Sequence, residues 1–222
     1  MLRRALIGTF ALAMAAGTAG IVLGQPAMPP PSTDPSAAPA GTYVLDPYHA
    51  SVIARVKHMG LSNFAIRFDG VEGSFTYDPK NPTASQVKAT VNAASFDIGN
   101  QKFQDMTLND HFIKQRDVLG NSKNPNVTFV STSIKHGAGN KGTMTGDLTL
   151  NGITKPVTFD VTFNGTAPGM GGGGQRMGFT AMTVLHRSDF DIFTKPPLAM
   201  PSPLPLSEEV SLHIEAEFAK KS

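Results

Sequence analysis

The stretch Thr143–Phe163, TMTGDLTLNGITKPVTFDVTF, constrains the fold of this chain more than any other. Met144, Gly146, Leu148 and Leu150 alternate with Thr143, Thr145, Asp147 and Thr149. That is the two-residue period of a strand with one face buried. Asn151-Gly152 follows, a dipeptide that accepts the positive φ angles of a tight hairpin turn. Val157, Phe159, Val161 and Phe163 then alternate with Thr158, Asp160 and Thr162. Pro156 has no N–H to give a ladder, so the second strand is expected to begin there.

Similar alternation recurs along the chain. Tyr43–Leu45 is short, and Ser51–His58 carries Val52, Ala54 and Val56 on one face. Phe64, Ile66 and Phe68 alternate, and Val71, Gly73, Phe75 and Tyr77 alternate in the opposite parity. The parity switches at Asp69-Gly70, where a bulge or sharp bend would restore the inward face. Val87, Ala89, Val91 and Ala93 continue the series, followed by strands at Val127–Ile134 and Arg176–His186. Val210, Leu212, Ile214, Ala216 and Phe218 form a last strand. Gln101–Asp110 is the best helix candidate, with Phe103 and Met106 on one side. Asn164–Gln175 is a glycine-dominated loop. Thr194–Ser207 holds five prolines and cannot pair as a central strand. About eight strands with one helical excursion and no βαβ alternation predict an antiparallel barrel or sandwich. A closed eight-stranded barrel is wide enough for one small ligand. Ala89, Ala93, Gly146, Ala181 and Ala216 would leave room inside it. A filled sandwich fits the periodicity equally well.

The ends read differently. Arg3 and Arg4 precede the apolar run Ala5–Ala16, which is short for a bilayer span. Val22 and Gly24 sit like the −3 and −1 positions of a cleavage site. Residues 1–24 therefore read as a secretory signal, with a retained anchor as the alternative. Residues 25–40 are rich in Pro, Ala and Ser and read as a disordered linker. Residues 41–222 form the folded domain, long enough for a sizeable core. Loss of Arg3 and Arg4 reduces nineteen basic residues to seventeen, against seventeen acidic ones. Nothing in the net charge then points to nucleic acid or to an acidic membrane surface. Cysteine is absent, so an exported chain must be held by its core, and thiol chemistry is excluded.

Signals for catalysis are weak. Gly169–Gly174 formally matches G-x-G-x-x-G, but a strand pattern follows it where a dinucleotide site needs a helix. The six histidines have no close ligand spacing, although His49, His111 and His186 could meet in space. No serine lies in G-x-S-x-G. Asp105 and Asp110 bracket one helical turn, and Asp189 and Asp191 flank Phe190. No cofactor is implied. Fourteen phenylalanines and ten methionines suit a core or an apolar cavity lining.

The hairpin GDLTLNGITKPVTFDVTF resembles the signature of the YceI-like family, exported lipocalin-like barrels that bind polyisoprenoids. LDPYHASVIARVKHMGLSNFAIRFDGVEGSFTYDP is similar to the family's opening strands, with a D-x-x-H element at Asp46–His49 and a K-H-M-G-L-S element at Lys57–Ser62. VNAASFDIGN, NPNVTFVSTSI and His186–Phe190 agree in order, the last resembling N-R-S-D-F. The resemblance covers Thr42–Phe218. Relatives often carry R-D-x-H-L where this chain has Gln104–Leu108, and Gly where it has Asp191.

The resemblance implies an all-β, antiparallel eight-stranded lipocalin-like barrel with one helical excursion. It implies a periplasmic carrier for a long apolar chain such as an isoprenoid, a quinone precursor or a fatty amide. Burial of ten carbons at ~0.8 kcal/mol each gives about 8 kcal/mol gross, so the tail can dominate binding. Strand parity places Phe64, Phe68, Phe75, Val91, Phe129, Leu148, Phe159 and Phe179 in the cavity. Phe103 and Leu108 would cover one side from the helix. Phe103–Phe112 and Thr194–Ser207 are expected to frame the opening, with His49, Asp105 and Arg187 near a head group. Alternatively, Asp46, His49 and Arg187 form a buried bonding network. Two other readings stay open: a lipid-modifying or metal-dependent enzyme using His49, Asp105 or His186, and a filled structural barrel acting through its surface in stress tolerance. A homodimer and a membrane donor or acceptor are also left open.

Overall fold

The computed structural model describes residues 30–170, 173–194 and 206–221. The expected signal at residues 1–24 and most of the Pro-rich loop lie outside them. Strand β1 (Gly41–His58) is one continuous 18-residue strand rather than the two short ones expected. Its pairing slips between Leu45 and Ala50, a bulge that accommodates Pro47, which has no N–H to donate. The strand that follows is broken at Asp69-Gly70 into β2 (Ser62–Phe68) and β3 (Val71–Tyr77), as the parity switch predicts. A Cβ on Gly70 would come within 3.0 Å of Asn92 and Ser95 side-chain carbons, so glycine permits the close approach there. Beyond the break, β3 pairs with β4 (Gln86–Asn92), whereas β2 diverges to pair with the short β5 (Phe96–Asp97).

The remaining long strands are β8 (Asn126–His136), β9 (Lys141–Leu150), β10 (Ile153–Ala167), β11 (Arg176–His186) and β12 (Leu206–Lys220). The order β1-β3-β4-β8-β9-β10-β11-β12 closes through an extended β12–β1 ladder into an eight-stranded antiparallel barrel. Closure removes the free edges of the main wall. Asn151 and Gly152 take φ angles of 53° and 75°, the geometry of the predicted tight turn. Strand β10 begins at Ile153, before the expected start at Pro156. Pro156 faces Asp147 at a non-hydrogen-bonded position, and β11 pairs with β10 only from Asp160 onward, so its missing N–H costs no ladder bond.

The helical expectation needs correction. Residues 101–107 are not helical: β6 (Lys102–Phe103) and β7 (Met106–Thr107) form a small hairpin through Gln104, at φ 56°. Helix α1 (Leu108–Asp110) starts only then and runs into a π-helical turn, His111–Gln115. The Thr107 hydroxyl accepts the Asp110 N–H at 3.1 Å, which fixes this start. A side-chain cap outweighs the weak apolar periodicity of so short a segment.

The linker expectation fails over residues 30–40, which pack against the barrel. Ser32 bridges Thr166, Ala38 is fully buried, and Pro35–Ala37 form a short 3-10 turn capped by Asp34. Tyr77 donates to the Pro35 carbonyl at 2.7 Å and Tyr43 to the Pro39 carbonyl at 2.8 Å. Two buried tyrosines need acceptors, and the proline carbonyls supply them. This strap crosses the end of the barrel where β1 begins, the strap end. The turn around α1 lies at the opposite, helical end.

Candidate functional site

The inward residues enclose an apolar cavity of about 720 Å³. Toward the strap end, Phe75 stacks on Tyr43 with ring centroids 5.1 Å apart and meets Phe218 and Phe179 edge to face at 5.0 and 5.6 Å. These rings narrow the lumen. On the opposite wall, Phe129, Leu148 and Phe159 pack as one cluster with Leu185 and Phe190. Beneath the helical end, Phe96, Val118 and Phe193 are buried against Phe68 and Phe112.

Most residues expected at the site by parity line this cavity. Phe64, Phe68, Phe75 and Val91 do so from β2, β3 and β4; Phe129, Leu148, Phe159 and Phe179 do so from β8 to β11. Leu108 reaches it from α1, and Arg187 from the turn after β11. Ala89, Ala181 and Ala216 border the space, as their size suggests. Gly146 and Ala93 do not. A Cβ on Gly146 would sit 2.4 Å from Phe129 Cζ, so the Phe129 ring fills the room that glycine leaves. Ala93 is buried in the turn after β4.

Three expected residues lie elsewhere. Phe103 stays on β6, partly exposed, with its ring 4.6 Å from that of His111. Asp105 is exposed in the β6–β7 turn. His49 stands on the outer wall near the strap end, its side chain 62% exposed, 3.0 Å from Asp46. His49, Asp105 and Arg187 are therefore not gathered at one opening. Nor do Asp46, His49 and Arg187 form one network. Asp46 and His49 join Arg176 and Glu217, whereas Arg187 belongs to the helical end.

Arg176 Nη1 donates to Asp46 at 2.5 Å and to Glu217 at 2.9 Å. The bond from Arg176, then that from His49, holds the Asp46 carboxyl down to about 2. Asp46, His49 and Glu217 bring three potential metal ligands within 4.8 Å of one another. The Arg176 guanidinium already supplies the cation these carboxylates balance, so the cluster works as a staple between β1, β11 and β12. His111 and His186 lie at the helical end, far along the barrel from His49.

Arg187 is buried and bonded on three sides. Nη1 donates to the Ile192 carbonyl at 2.9 Å, Nε to the Ser207 carbonyl at 3.3 Å, and Nη2 lies 3.2 Å from Glu208. Burial raises the Glu208 carboxyl, but bonds from Ser188 and the charge of Arg187 outweigh it and leave it lowered. Asp191 occupies the left-handed region at φ 55°, a conformation that glycine adopts most freely. Asp tolerates that conformation better than most residues.

At the helical end His58, Ser62 and Leu206 border the cavity. Pro82, Thr83 and Ser85, with His136 and Gly139, Asn140 and Lys141, border it near the strap end, to one side. The β4–β8 ladder stops at Lys88 and Val130, after which β8 pairs only with β9, leaving a side window there.

The domain model described as "YceI-like domain" matches residues 43–218. A UPF0312 protein of Pseudomonas aeruginosa is 40% identical over 169 residues, which cover 76% of this chain and 81% of the relative. A Campylobacter jejuni YCEI protein superposes with a TM-score of 0.61 at 28% identity, covering 75% of this chain and 90% of that one. A polyisoprenoid binding domain from Saccharophagus degradans superposes with a TM-score of 0.56 at 12% identity, covering 81% of this chain and 98% of that one. The last likeness is one of fold.

Proposed function

The chain belongs to the YceI-like domain family, and on that premise we propose that it is a periplasmic carrier that holds the long apolar tail of a lipid inside its barrel. The single observation that carries this reading is the apolar cavity of about 720 Å³. Aromatic and aliphatic side chains make up most of its lining, and its charged border residues include Glu72 and Lys88 on β3 and β4 besides groups at its two ends. At ~30 Å³ per heavy atom, the share of a molecule in liquid water, the space takes about twenty carbons. A tail of four isoprene units or a long acyl chain fits that length. A tail twice as long would have to extend outside.

Among the described residues, the cavity wall offers no buried polar constellation suited to bond making. Arg187, the buried cation on the lining, has its guanidinium engaged by Ile192, Ser207 and Glu208. Binding by shape and apolar burial is what this wall can do. Export to the periplasm remains part of the proposal and rests on the character of residues 1–24 alone.

Native mass spectrometry of the exported protein tests the reading. We expect a retained mass that organic extraction removes and that an apolar tail explains. A protein that emerges without ligand, and fails to take up a C20 isoprenol presented on cyclodextrin, would overturn it.

A further inference from the structure

Met59 and Leu61 stand 65% and 84% exposed on one hairpin tip, at the helical end of the barrel. Two large apolar side chains held together in water require a reason; most other exposed ones, such as Tyr48 and Met170, stand singly. The tip is rigidly built. Ladder pairs run from Val52–Phe68 to His58–Ser62, and Met59 and Gly60 turn the chain with φ angles of 52° and 73°. It joins strands β1 and β2, whose inward residues Val56 and Phe64 line the cavity. His58 and Ser62, on either side of the tip, border the same cavity. The tip thus stands at the rim of the lumen.

The paired stretches of β1 and β2 that carry the tip hold charge of one sign. Residues 51–68 contain Arg55, Lys57 and Arg67, and no Asp or Glu. Strand parity puts all three on the outer wall, because Val52, Ala54 and Val56 face inward, as do Phe64, Ile66 and Phe68. Arg67 is paired with Asp69. Of the acidic residues on the adjoining part of β12, Glu208 is engaged by Arg187 and Ser188, and Glu209 is exposed. Exposed apolar side chains with a cationic collar match the interface of an anionic bilayer, where the apolar groups enter the acyl boundary and the cations meet the phosphates.

We propose that the β1–β2 tip docks the helical end of the barrel on an anionic lipid surface, so that a tail passes between bilayer and cavity without crossing water. This rests on the reading of the cavity as a lipid site and adds the partner from which the lipid comes. The side window near the strap end lacks such an apolar tip, so transfer should not depend on it.

The test uses the mature protein, vesicles of phosphatidylethanolamine with phosphatidylglycerol, and a fluorescent C20 isoprenol. Ligand-free protein should float with these vesicles and much less with phosphatidylcholine vesicles. The variant Met59→Asn with Leu61→Ser should lose flotation and transfer at least tenfold, yet load from cyclodextrin like the parent. Asn suits the left-handed turn position, and both sites are exposed, so folding is preserved. Arg55→Gln with Lys57→Gln should weaken vesicle binding about fivefold per charge removed. Lys80→Gln with Lys221→Gln, exposed lysines toward the strap end that do not border the cavity, should change neither. Equal flotation and transfer by parent and tip variant would overturn the docking proposal, as would a tip-dependent dimer that ignores vesicles. Failure of the parent to load from cyclodextrin would instead sink the cavity reading, while flotation still decides the docking one.

Discussion

Arg176 donates to Asp46 across 130 positions of sequence, at 2.5 Å, and thereby ties the bulge of β1 to the wall formed by β11 and β12. The bond lowers the Asp46 carboxyl from 3.8 to about 2. A carboxyl depressed by folding stabilises the native state above its unfolded value and loses that contribution as pH falls through the folded one. The native protein should therefore lose melting temperature between about pH 4 and pH 2 in part through this residue. Asp46→Asn should lower the midpoint at pH 7 and flatten that acid limb. Calorimetry over the range checks it; parallel curves for the two proteins would contradict the assignment.

His49 is mostly exposed on the outer wall and contacts Asp46 rather than the cavity. His49→Ala should leave lipid retention unchanged and cost less than about 1 kcal/mol, as exposed pairs do. Extraction and mass spectrometry of the variant measure the first, and denaturant unfolding the second.

Ala181 lies on β11 with its side chain toward the lumen. Ala181→Trp should take up tail space and abolish retention of a C20 chain, with a stability cost of about 1–3 kcal/mol from overpacking. Undiminished loading in a folded variant would place the ligand outside the barrel.

Gly146 gives the opposite case, a small inward residue without free space beside it. Its would-be Cβ meets Phe129 Cζ at 2.4 Å and the Val130 carbonyl oxygen at 2.5 Å. Gly146→Ala should destabilise the fold by about 1–3 kcal/mol. Chemical denaturation reads this directly, and a neutral result would mean that the Phe129 ring moves aside at no cost.

The contrast between Ala181 and Gly146 marks how far the sequence speaks. Parity was legible wherever strands alternate, so eight cavity-lining residues, the break at Asp69-Gly70 and the turn at Asn151-Gly152 could be read directly. Which small inward residues leave space could not, because that depends on the ring opposite, and Phe129 lies seventeen residues before Gly146 in the chain. Polar residues were least legible. His49 looked like a mouth residue because Arg176, which ties its neighbour Asp46 to the far wall, is distant in sequence and no local pattern points to it. The start of α1 carried a local signal that periodicity obscured: Thr107, three residues before Asp110, is a capping pair. The packing of residues 30–40 had none, since composition poor in large apolar groups says nothing about carbonyls that accept from buried tyrosines.

Those two tyrosines make a further prediction. Tyr43→Phe with Tyr77→Phe removes the bonds to Pro39 and Pro35 and should cost about 1 kcal/mol per bond. The strap over residues 30–40 should then become open to protease while the barrel stays intact. N-terminal sequencing of the cleaved product detects this, and equal resistance in the variant would show that Ala38 and the Ser32–Thr166 bridge hold the strap unaided.

The strap also sets a polarity for the whole molecule. Because residues 30–40 are fastened across the end where β1 begins, the polypeptide enters the barrel at one pole and the β1–β2 tip projects from the other. The described chain begins, at Pro30, on the pole away from Met59 and Leu61. A tag joined ahead of the strap departs from the pole opposite the proposed docking tip, whereas the same addition within the β1–β2 turn would stand on that tip itself.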